Sequence, residues 1–391
     1  FVSLAQLLGQ TRDQVMPPLP PQSRWEAWAD WAAFGLVSWV VTAVYWLFLL
    51  GILLGVARLL FIGTLAILQR RRSRCWRFDP GYDPTVAVVV PAYNEEKVIE
   101  RTIASLLASD HPSRFEVILV DDGSSDGTYQ PVTPLSRWEP WPAWAAIVQL
   151  SSQQTAVRAF HLLDCISVVP GAVGAWRREL IQQAGGFTDQ TLAEDADLTL
   201  TIRRMGYSIV YEDEAIALTE APDTVRGFVR QRYRWMFGTM QAAWKHRDTL
   251  FRRRYGALGF VALPNVLIFQ VCFPLISPIM DLMLIASLIL AAFNHAQHPL
   301  EYSPDALYRV AFYYVLFLLV DFAAAALAFV LEPRENKWLL VWLVWQRFFY
   351  RQLMYYVAIK STLAALRGVV VGWGKLERKA TVAGQGGPIA S

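Results

Sequence analysis

The stretch that decides the fold is 85–96, which reads TVAVVVPAYNEE. Its first half is a β-branched apolar run of strand length, and its second half is polar. A helical pattern follows at 98–107, and a second apolar run at 115–120 leads into the loop 121–128, DDGSSDGT. Strand, helix and strand with short connections predict a parallel sheet, whose ligands gather at the carboxyl ends of its strands. We therefore expect an α/β domain with a doubly wound, mostly parallel sheet.

The polar loops that end both strands are candidate binding elements. An acidic pair beside glycines, such as Asp121 and Asp122, is often only a turn. Two polar loops at adjacent strand ends are harder to explain in that way, because they would meet at one edge of the sheet. We therefore expect a ligand site there.

Two further motifs follow, the acidic run LAEDAD around Asp195 and the run QRYRW at 231–235. Acidic residues at the head of a helix can simply cap it and complement its dipole, so for Asp195 alone this reading stands beside catalysis. In the second motif Gln231, Arg234 and Trp235 share one helix face. A guanidinium suits a diphosphate and an indole can cover a sugar or a base, so the pair favours a sugar-diphosphate site.

Composition indicates a membrane protein. The chain has 391 residues, of which 54% are hydrophobic and 16 are Trp, and its mean hydropathy is +0.29. A soluble domain of this length rarely needs so much apolar surface. The net charge of +3 is too small to argue for nucleic acid, and no basic tract is interleaved with aromatics. The cysteines and histidines show neither disulfide nor metal-ligand spacing.

The first membrane segment is predicted upstream of the α/β domain. The run 33–69 is apolar apart from Arg58 and follows a tryptophan-rich stretch that suits the membrane interface. One long tilted span is favoured over two because neither proline nor a polar turn interrupts it. The arginines at 70–74 place its end in the cytoplasm. We expect an extracytoplasmic linker at 1–24 and a transmembrane helix at 25–70.

The remaining boundaries follow from composition. They are a cytoplasmic domain at 75–250, interfacial and transmembrane helices at 256–366, and a tail at 367–391. Within the helical part, 256–293 has room for an interfacial or re-entrant piece plus one span, and 308–331 spans back. The segment 338–366 is either a span with polar groups such as Gln346 and Arg351 facing a water-filled path, or an interfacial helix followed by a shorter span.

The Asp195 motif and the Gln231 to Trp235 motif resemble those of processive, membrane-integrated family 2 glycosyltransferases. This family includes the synthases of poly-N-acetylglucosamine, chitin, hyaluronan and cellulose. The runs at 350–356 and 372–378 look most like the poly-N-acetylglucosamine and chitin-type members. The resemblance covers roughly 75–380 and implies a GT-A type fold for the cytoplasmic domain.

The resemblance also implies roles for single residues. Asp195, with Glu194 beside it, would be the catalytic base, and Arg234 would stabilise the leaving diphosphate. The other residues carried over contact the substrates: Tyr93, Glu95, Asp122, Gln231 and Trp235 on the donor side, and Pro170, Gly171 and Ala172 on the acceptor side.

The metal site of that family has no counterpart in this sequence. The family holds Mg²⁺ or Mn²⁺ on the donor diphosphate with an Asp-x-Asp at a strand end, but 129–171 contains no such pair. The pair Asp195 and Asp197 stands in the helix context of the base motif instead. We expect that the metal-binding segment of the family is missing from this chain at a junction near 129–134. A domain that had truly lost its central strands would expose unpaired sheet edges. The alternative is a domain that lacks it, and the metal ligands stay unknown.

The resulting hypothesis is a processive, inverting glycosyltransferase of the plasma (bacterial inner) membrane. It would polymerise a UDP-sugar, with UDP-N-acetylglucosamine as first choice, into a β-linked exopolysaccharide and export it through its own channel. Alternatives are a hyaluronan or β-glucan synthase using UDP-glucuronate or UDP-glucose, a non-processive lipid-linked sugar transferase, and a non-catalytic nucleotide-sensing membrane protein. Partners would be the growing polysaccharide, membrane lipids and an extracytoplasmic deacetylase, since the chain starts at Phe1 as if inside a longer protein.

Overall fold

The structure is a computed structural model. It describes residues 9, 21–73, 84–93, 95–96, 98–108, 115–121, 124, 126, 155–171, 174–212, 222, 224–297, 304–332, 337–342, 346 and 348–368. The predicted features that lie wholly or largely outside these residues are Asp122, Ala172, most of the linker 1–24, most of the loop 121–128, the segment near 129–134 and the tail beyond 368.

Helices dominate the described part of the chain. The elements in order are α1 (Pro21–Ser73), β1 (Val86–Ala92), α2 (Ile99–Leu107), β2 (Phe115–Asp121), α3 (Thr155–Leu162), α4 (Arg178–Gln183), α5 (Glu194–Arg204), α6 (Val225–Lys245), α7 (Leu258–Gln297), α8 (Asp305–Leu331) and α9 (Tyr350–Leu366). Short 3₁₀ turns lie at Arg247–Thr249, Arg253–Tyr255 and Lys337–Trp342. In α7, the π-helical stretches Leu258–Ala262 and Val266–Cys272 alternate with α-helix.

The strands β1 and β2 form a parallel pair, as the strand-helix-strand pattern predicts. Val86 lies opposite Phe115 and Ala92 lies opposite Asp121. The helix α2 connects them, and its first turn begins where the backbone N–H groups of Val98 and Ile99 each donate to the Glu95 carbonyl over 2.9 Å. This register brings both polar strand-end loops to the same edge of the sheet.

Among the described residues, three helical segments are long and apolar enough to cross a bilayer: Tyr45–Arg72, Leu258–Gln297 and Leu307–Leu331. The first lies inside α1, a single helix of 53 residues that begins at Pro21, a little before the predicted start. Proline is tolerated there because the first helical N–H groups have no partner within the helix. The segment 338–366 contains a 3₁₀ turn and the 17-residue α9.

Contacts along α1 fix the relative directions of the three segments. The hydroxyls of Tyr45 and Tyr313 lie 3.1 Å apart, and further along both helices a Cβ added to Gly63 would come within 2.6 Å of Leu327 Cδ2. The helices α1 and α8 therefore run parallel, and the lack of a side chain at Gly63 permits their close approach.

The segment α7 runs the other way. Arg58 Nε donates to Asn265 Oδ1 over 3.0 Å, whereas Gly51, earlier in α1, lies against Phe273, later in α7. The first and third segments thus run in the same direction. The second, which comes between them in the chain, runs the opposite way. Alternating directions of this kind fit successive crossings of a bilayer by these three candidate segments.

A buried arginine joins the ends of two of these helices to the α/β domain. Arg158 on α3 donates from Nη2 to Glu332 Oε1 over 2.6 Å and from Nη1 to Gln69 Oε1 over 3.2 Å. Its guanidinium also lies over the Tyr211 ring, 5.0 Å from the centroid. Because Gln69 lies in the last turn of the first candidate span and Glu332 directly follows the third, Arg158 holds α3 at the same end of both helices.

Candidate active site

The centre of the site is the first turn of α5. Asp195 Oδ2 accepts a hydrogen bond from Gly171 N over 3.0 Å, and Oδ1 accepts one from Ala196 N over 2.7 Å. Thr199 Oγ1 donates to the Asp195 carbonyl over 2.6 Å and accepts from Val169 N over 3.0 Å. Two hydrogen-bonded links therefore hold the segment that ends in Gly171 against the head of α5. The structure thus brings together the predicted base and one predicted acceptor residue.

Glu194 and Arg234 form an electrostatic cluster with Asp195. Burial raises the pKa of Glu194, and the neighbouring Asp195 charge adds to that rise while Arg234 opposes it. Burial lowers the pKa of the Arg234 guanidinium, while Glu194 and Asp195 raise it. Two carboxyls and a guanidinium thus act on one another in a half-buried environment, where water screens their charges less than on an open surface. The residues predicted to be catalytic lie together.

The close approach of α6 to the head of α5 explains this cluster. A Cβ added to Gly238 would lie 2.7 Å from Ala193 N and 3.0 Å from Leu192 C, so only glycine fits there without a shift. One turn further along α6, Gln241 Oε1 accepts a hydrogen bond from Leu192 N over 2.9 Å. The helix that carries Arg234 is thereby docked directly before the base motif.

Trp235 lies exposed on α6, one turn after the half-buried Gln231. The guanidinium of buried Arg232 lies over the Trp235 ring, with Cζ 4.5 Å from the centroid, and the same Cζ is 5.3 Å from the centroid of the Phe228 ring. The Phe228 ring in turn contacts Tyr350 of α9, with 5.1 Å between centroids. Arg232 therefore joins the exposed indole to a buried aromatic layer.

Asp197, the second aspartate of the acidic motif, is held by contacts that stabilise the fold. Buried Asp197 accepts hydrogen bonds from Lys245 Nζ over 2.7 Å, His246 Nε2 over 2.8 Å and Thr188 Oγ1 over 3.0 Å. Burial alone would raise its pKa, but these three hydrogen bonds outweigh burial and hold the pKa below its ordinary value. Asp197 thus ties the head of α5 to the end of α6.

The tautomer of His246 follows from its second neighbour. Arg204 Nη1 lies 2.8 Å from His246 Nδ1, and since a guanidinium can only donate, Nδ1 accepts and the proton is on Nε2. Burial lowers the pKa of His246, and the nearby charges of Arg204 and Lys245 lower it further against the opposing effect of Asp197. His246 is therefore a neutral hydrogen-bond donor to Asp197.

The predicted donor-side residues of the first loop lie at the carboxyl end of β1. Tyr93 follows Ala92, and the Glu95 carbonyl begins the turn into α2. Glu96 N donates to Asp126 Oδ2 over 3.4 Å, so the loops after β1 and β2 meet. This contact supports one binding edge made by both loops.

No group of three or more metal-ligating side chains occurs among the described residues. Asp197 is engaged with Lys245 and His246. Within this part of the chain, the residues therefore do not provide the family's metal site.

Comparison with known proteins decides the family. Residues 127–373, more than half of the chain, match the family described as Glycosyl transferase family group 2, and 87–143 match Glycosyl transferase family 2. The chain belongs to glycosyl transferase family group 2. With the parallel strand pair and the three candidate spans, this membership confirms the predicted GT-A type α/β fold class and, at the level of the family, the prediction of a glycosyltransferase.

The related proteins have varied names. The chain is 24% identical over 253 residues to the probable glycosyltransferase YdaM of Bacillus subtilis, covering 45% of this chain and 60% of that protein. It is 38% identical over 68 residues to the probable glucomannan 4-beta-mannosyltransferase 6 of Oryza sativa subsp. japonica, covering 17% of this chain and 12% of that protein. The match thus spans less than two thirds of the length of these relatives.

Among solved structures, the chain is similar to the mannosyltransferase PcManGT from Pyrobaculum calidifontis in complex with GDP-Man and Mn²⁺. The TM-score is 0.46 at 19% identity, and the match covers 81% of this chain and 98% of that one.

Three residues that shape the site were not predicted from the sequence of this family group 2 chain, namely Thr199, Gly238 and Arg232. Thr199 stands four positions after Asp195, a spacing that allows its hydroxyl to bond the helix backbone. Gly238 is an unfavourable residue inside a long helix, which is a signal of close packing. Arg232 is three positions before Trp235, on neighbouring turns of one face. Each signal is weak alone, because the partners of Thr199 and Gly238 lie on other elements.

Proposed function

We propose that the chain transfers a sugar from a nucleoside-diphosphate donor to a hydroxyl group of a growing glycan, with inversion at the anomeric carbon. The contact between Asp195 and Gly171 carries this proposal, because it sets a carboxylate against the backbone that is proposed to line the acceptor site. Asp195 takes the proton of the acceptor hydroxyl as the oxygen attacks the anomeric carbon, and the diphosphate leaves from the opposite face. The backbone N–H groups of Gly171 and Ala196 orient its two oxygens.

Arg234 and Trp235 complete the proposed site. The Arg234 guanidinium lies in the same electrostatic cluster as the base, where it can stabilise the charge that develops on the departing diphosphate. The exposed indole of Trp235 offers a flat surface for a sugar ring at the boundary of donor and acceptor. Gln231, on the same face one turn earlier, orients the substrate.

A divalent metal, Mg²⁺ or Mn²⁺, would supply charge stabilisation on the diphosphate. The described residues do not form a site for it, so the proposed roles of Asp195 and Arg234 are derived without it.

We propose two candidate donors, in order of preference. The motifs after 350 favour UDP-N-acetylglucosamine, by their likeness to poly-N-acetylglucosamine and chitin-type synthases. A mannose nucleotide is the second candidate, because a relative with 38% identity over 68 residues is named as a glucomannan 4-beta-mannosyltransferase. Both donors would use the same base and the same diphosphate-binding arginine.

Processive synthesis with export through the membrane helices is the finer part of the proposal. Asp281 of α7 accepts hydrogen bonds from Tyr355 over 3.0 Å and Gln352 over 3.1 Å, and Arg351 pairs with Asp321 of α8 over 2.6 Å. Charged and polar side chains inside apolar helices usually face a protein interior or a water-filled path. This group, with half-buried Gln346 nearby in sequence, supports a polar path between α7, α8 and α9.

The test is incorporation by the purified full chain in lipid nanodiscs. Four labelled donors, UDP-N-acetylglucosamine, UDP-glucose, UDP-glucuronate and GDP-mannose, are each incubated with Mg²⁺ and with Mn²⁺. The product is then sized and digested with linkage-specific glycosidases. A long polymer from one donor supports the proposal and identifies that donor, whereas short glycolipid products indicate a non-processive transferase. Nucleotide binding without incorporation from any donor would overturn the enzyme proposal in favour of a sensor.

A further inference from the structure

A tightly folded turn connects α6 to the second candidate span. Thr249 is fully buried, and a Cβ added to Gly259 would overlap its carbonyl oxygen, so this oxygen sits directly on the first turn of α7. Phe251 N donates to the Gly259 carbonyl over 3.2 Å. The connection is therefore fixed to the head of the span.

This turn holds an exposed aromatic side chain in a strained conformation. Phe251 has a φ of 55°, in the left-handed region that non-glycine residues rarely adopt, and its side chain is 66% exposed. Its ring contacts the exposed ring of Phe260 edge to face, with 6.1 Å between centroids. Trp244, at the end of α6, is 70% exposed. Strain that presents a hydrophobic group to the outside points to a function for that surface.

Four exposed arginines lie next to these aromatic residues in the chain. Arg252, Arg253 and Arg254 follow Phe251 directly, and Arg247 lies over the Trp244 ring with Cζ 4.7 Å from the centroid. Within the described part of the chain, none of these four guanidiniums forms an ion pair with a carboxylate. We call this surface the arginine collar; its members are Trp244, Arg247, Phe251, Arg252, Arg253, Arg254 and Phe260.

We propose that the arginine collar binds the headgroups of anionic phospholipids in the leaflet that faces the α/β domain. The collar is continuous with the start of the span Leu258–Gln297, so its aromatic rings reach the interfacial layer where such rings are favoured. Its positive charges complement a negatively charged leaflet. The turn docked on Gly259 presents these groups in a fixed arrangement. This inference rests on the membrane position in the proposed function, but not on its chemistry.

The experiment measures lipid binding on the full-length chain in neutral detergent, by the rise of its thermal unfolding midpoint during titration. Phosphatidylglycerol and phosphatidylcholine are compared for the native chain and for the triple variant Arg252→Gln, Arg253→Gln, Arg254→Gln. We expect phosphatidylglycerol to stabilise the native chain more than phosphatidylcholine does. In the triple variant the half-saturating phosphatidylglycerol concentration rises on the order of a hundredfold, as expected for the loss of three juxtamembrane charges.

Two controls separate charge from fold. The matching Lys triple keeps the charge and retains the preference for phosphatidylglycerol, and Arg177→Gln with Arg178→Gln, two exposed arginines on another surface, leaves it unchanged. If the Gln triple does not fold, Arg253→Gln alone is titrated and shows a smaller weakening of the same sign.

Three results would overturn the inference. The first is an equal response of the native chain to both lipids, and the second is a Gln triple that binds phosphatidylglycerol like the native chain. The third is a change of oligomeric state in the Gln triple in nanodiscs of phosphatidylcholine alone, which would show an interface between copies. Loss of glycosyl transfer without a change in lipid binding would bear only on the proposed function.

Discussion

The backbone N–H of Gly171 donates a hydrogen bond to Asp195 Oδ2 over 3.0 Å, which joins the proposed base to the segment that is proposed to line the acceptor site. The two residues are 24 positions apart and belong to different elements. Because the same carboxylate is held by Ala196 N through its other oxygen, both its position and its orientation are set before a substrate arrives. This arrangement suits a general base, which must meet the acceptor hydroxyl in a fixed geometry.

Asp195→Asn tests the base. The amide keeps an oxygen for the Gly171 N–H but cannot take a proton, so we expect the transfer rate to fall on the order of a hundredfold to ten-thousandfold. Donor binding, measured by calorimetry with the nucleotide, stays near the native value. The matched control is Asp189→Asn, an exposed aspartate shortly before α5. Normal turnover by Asp195→Asn would remove Asp195 from the mechanism.

Arg232→Lys tests the support of the exposed indole. Lysine keeps the charge but lacks the flat guanidinium that lies over the rings of Trp235 and Phe228. We expect the KM for an added oligosaccharide acceptor to rise roughly threefold to thirtyfold, with the donor KM and kcat little changed. The exposed Arg226→Lys on the same helix is the control. An equal loss in all kinetic constants would indicate a general structural role for Arg232.

Gly238→Ala tests the docking of α6 on the base motif. The new methyl group would lie 2.7 Å from Ala193 N, so the backbone must move apart. We expect a loss of about 1 to 3 kcal/mol in the free energy of unfolding, with a lower kcat because Arg234 moves relative to Asp195. Chemical denaturation and initial rates measure the two effects. Gly35→Ala, where nothing lies within 4 Å of the added Cβ, should be neutral or stabilising; a neutral Gly238→Ala would show that the contact is loose.

Acidification tests the network behind the site. The pKa of His246 is lowered from its ordinary value of 6.5, so the folded state prefers the neutral ring and the unfolded state binds the proton first. Its contribution to stability is therefore complete above pH 6.5 and is lost as the pH falls towards the lowered value. Asp197, whose pKa is lowered from 3.8, adds a loss of the same sign at lower pH.

The variant His246→Gln isolates the first of these losses. The glutamine amide can donate to Asp197 in place of Nε2 but does not titrate, so the unfolding midpoint should fall less than in the native chain as the pH drops from neutral to about 5. Burial also lowers the pKa of His161, so part of the native slope remains. Parallel curves for the native chain and the variant would contradict the assignment to His246.

The strand patterns at 85–96 and 115–128 are local, so the sequence alone predicted the parallel pair and its polar edge. Apolar length predicted the three candidate spans of the described residues in the same way, since crossing a bilayer depends on a continuous run of residues. It also predicted a span within 338–366, where the structure has a 3₁₀ turn and the 17-residue α9. The motif around Asp195 and the QRYRW run indicated the chemistry through residue type and helical spacing.

Only the tertiary structure decided how these parts meet. Asp195 and Asp197 are two positions apart and leave the helix on different sides, but that Asp197 meets Lys245 and His246 depends on how α6 docks. The same docking, permitted by the missing side chain of Gly238, places Arg234 in the charge cluster of Asp195. Contacts between elements far apart in the chain depend on packing in three dimensions, and no local pattern of residues specifies them.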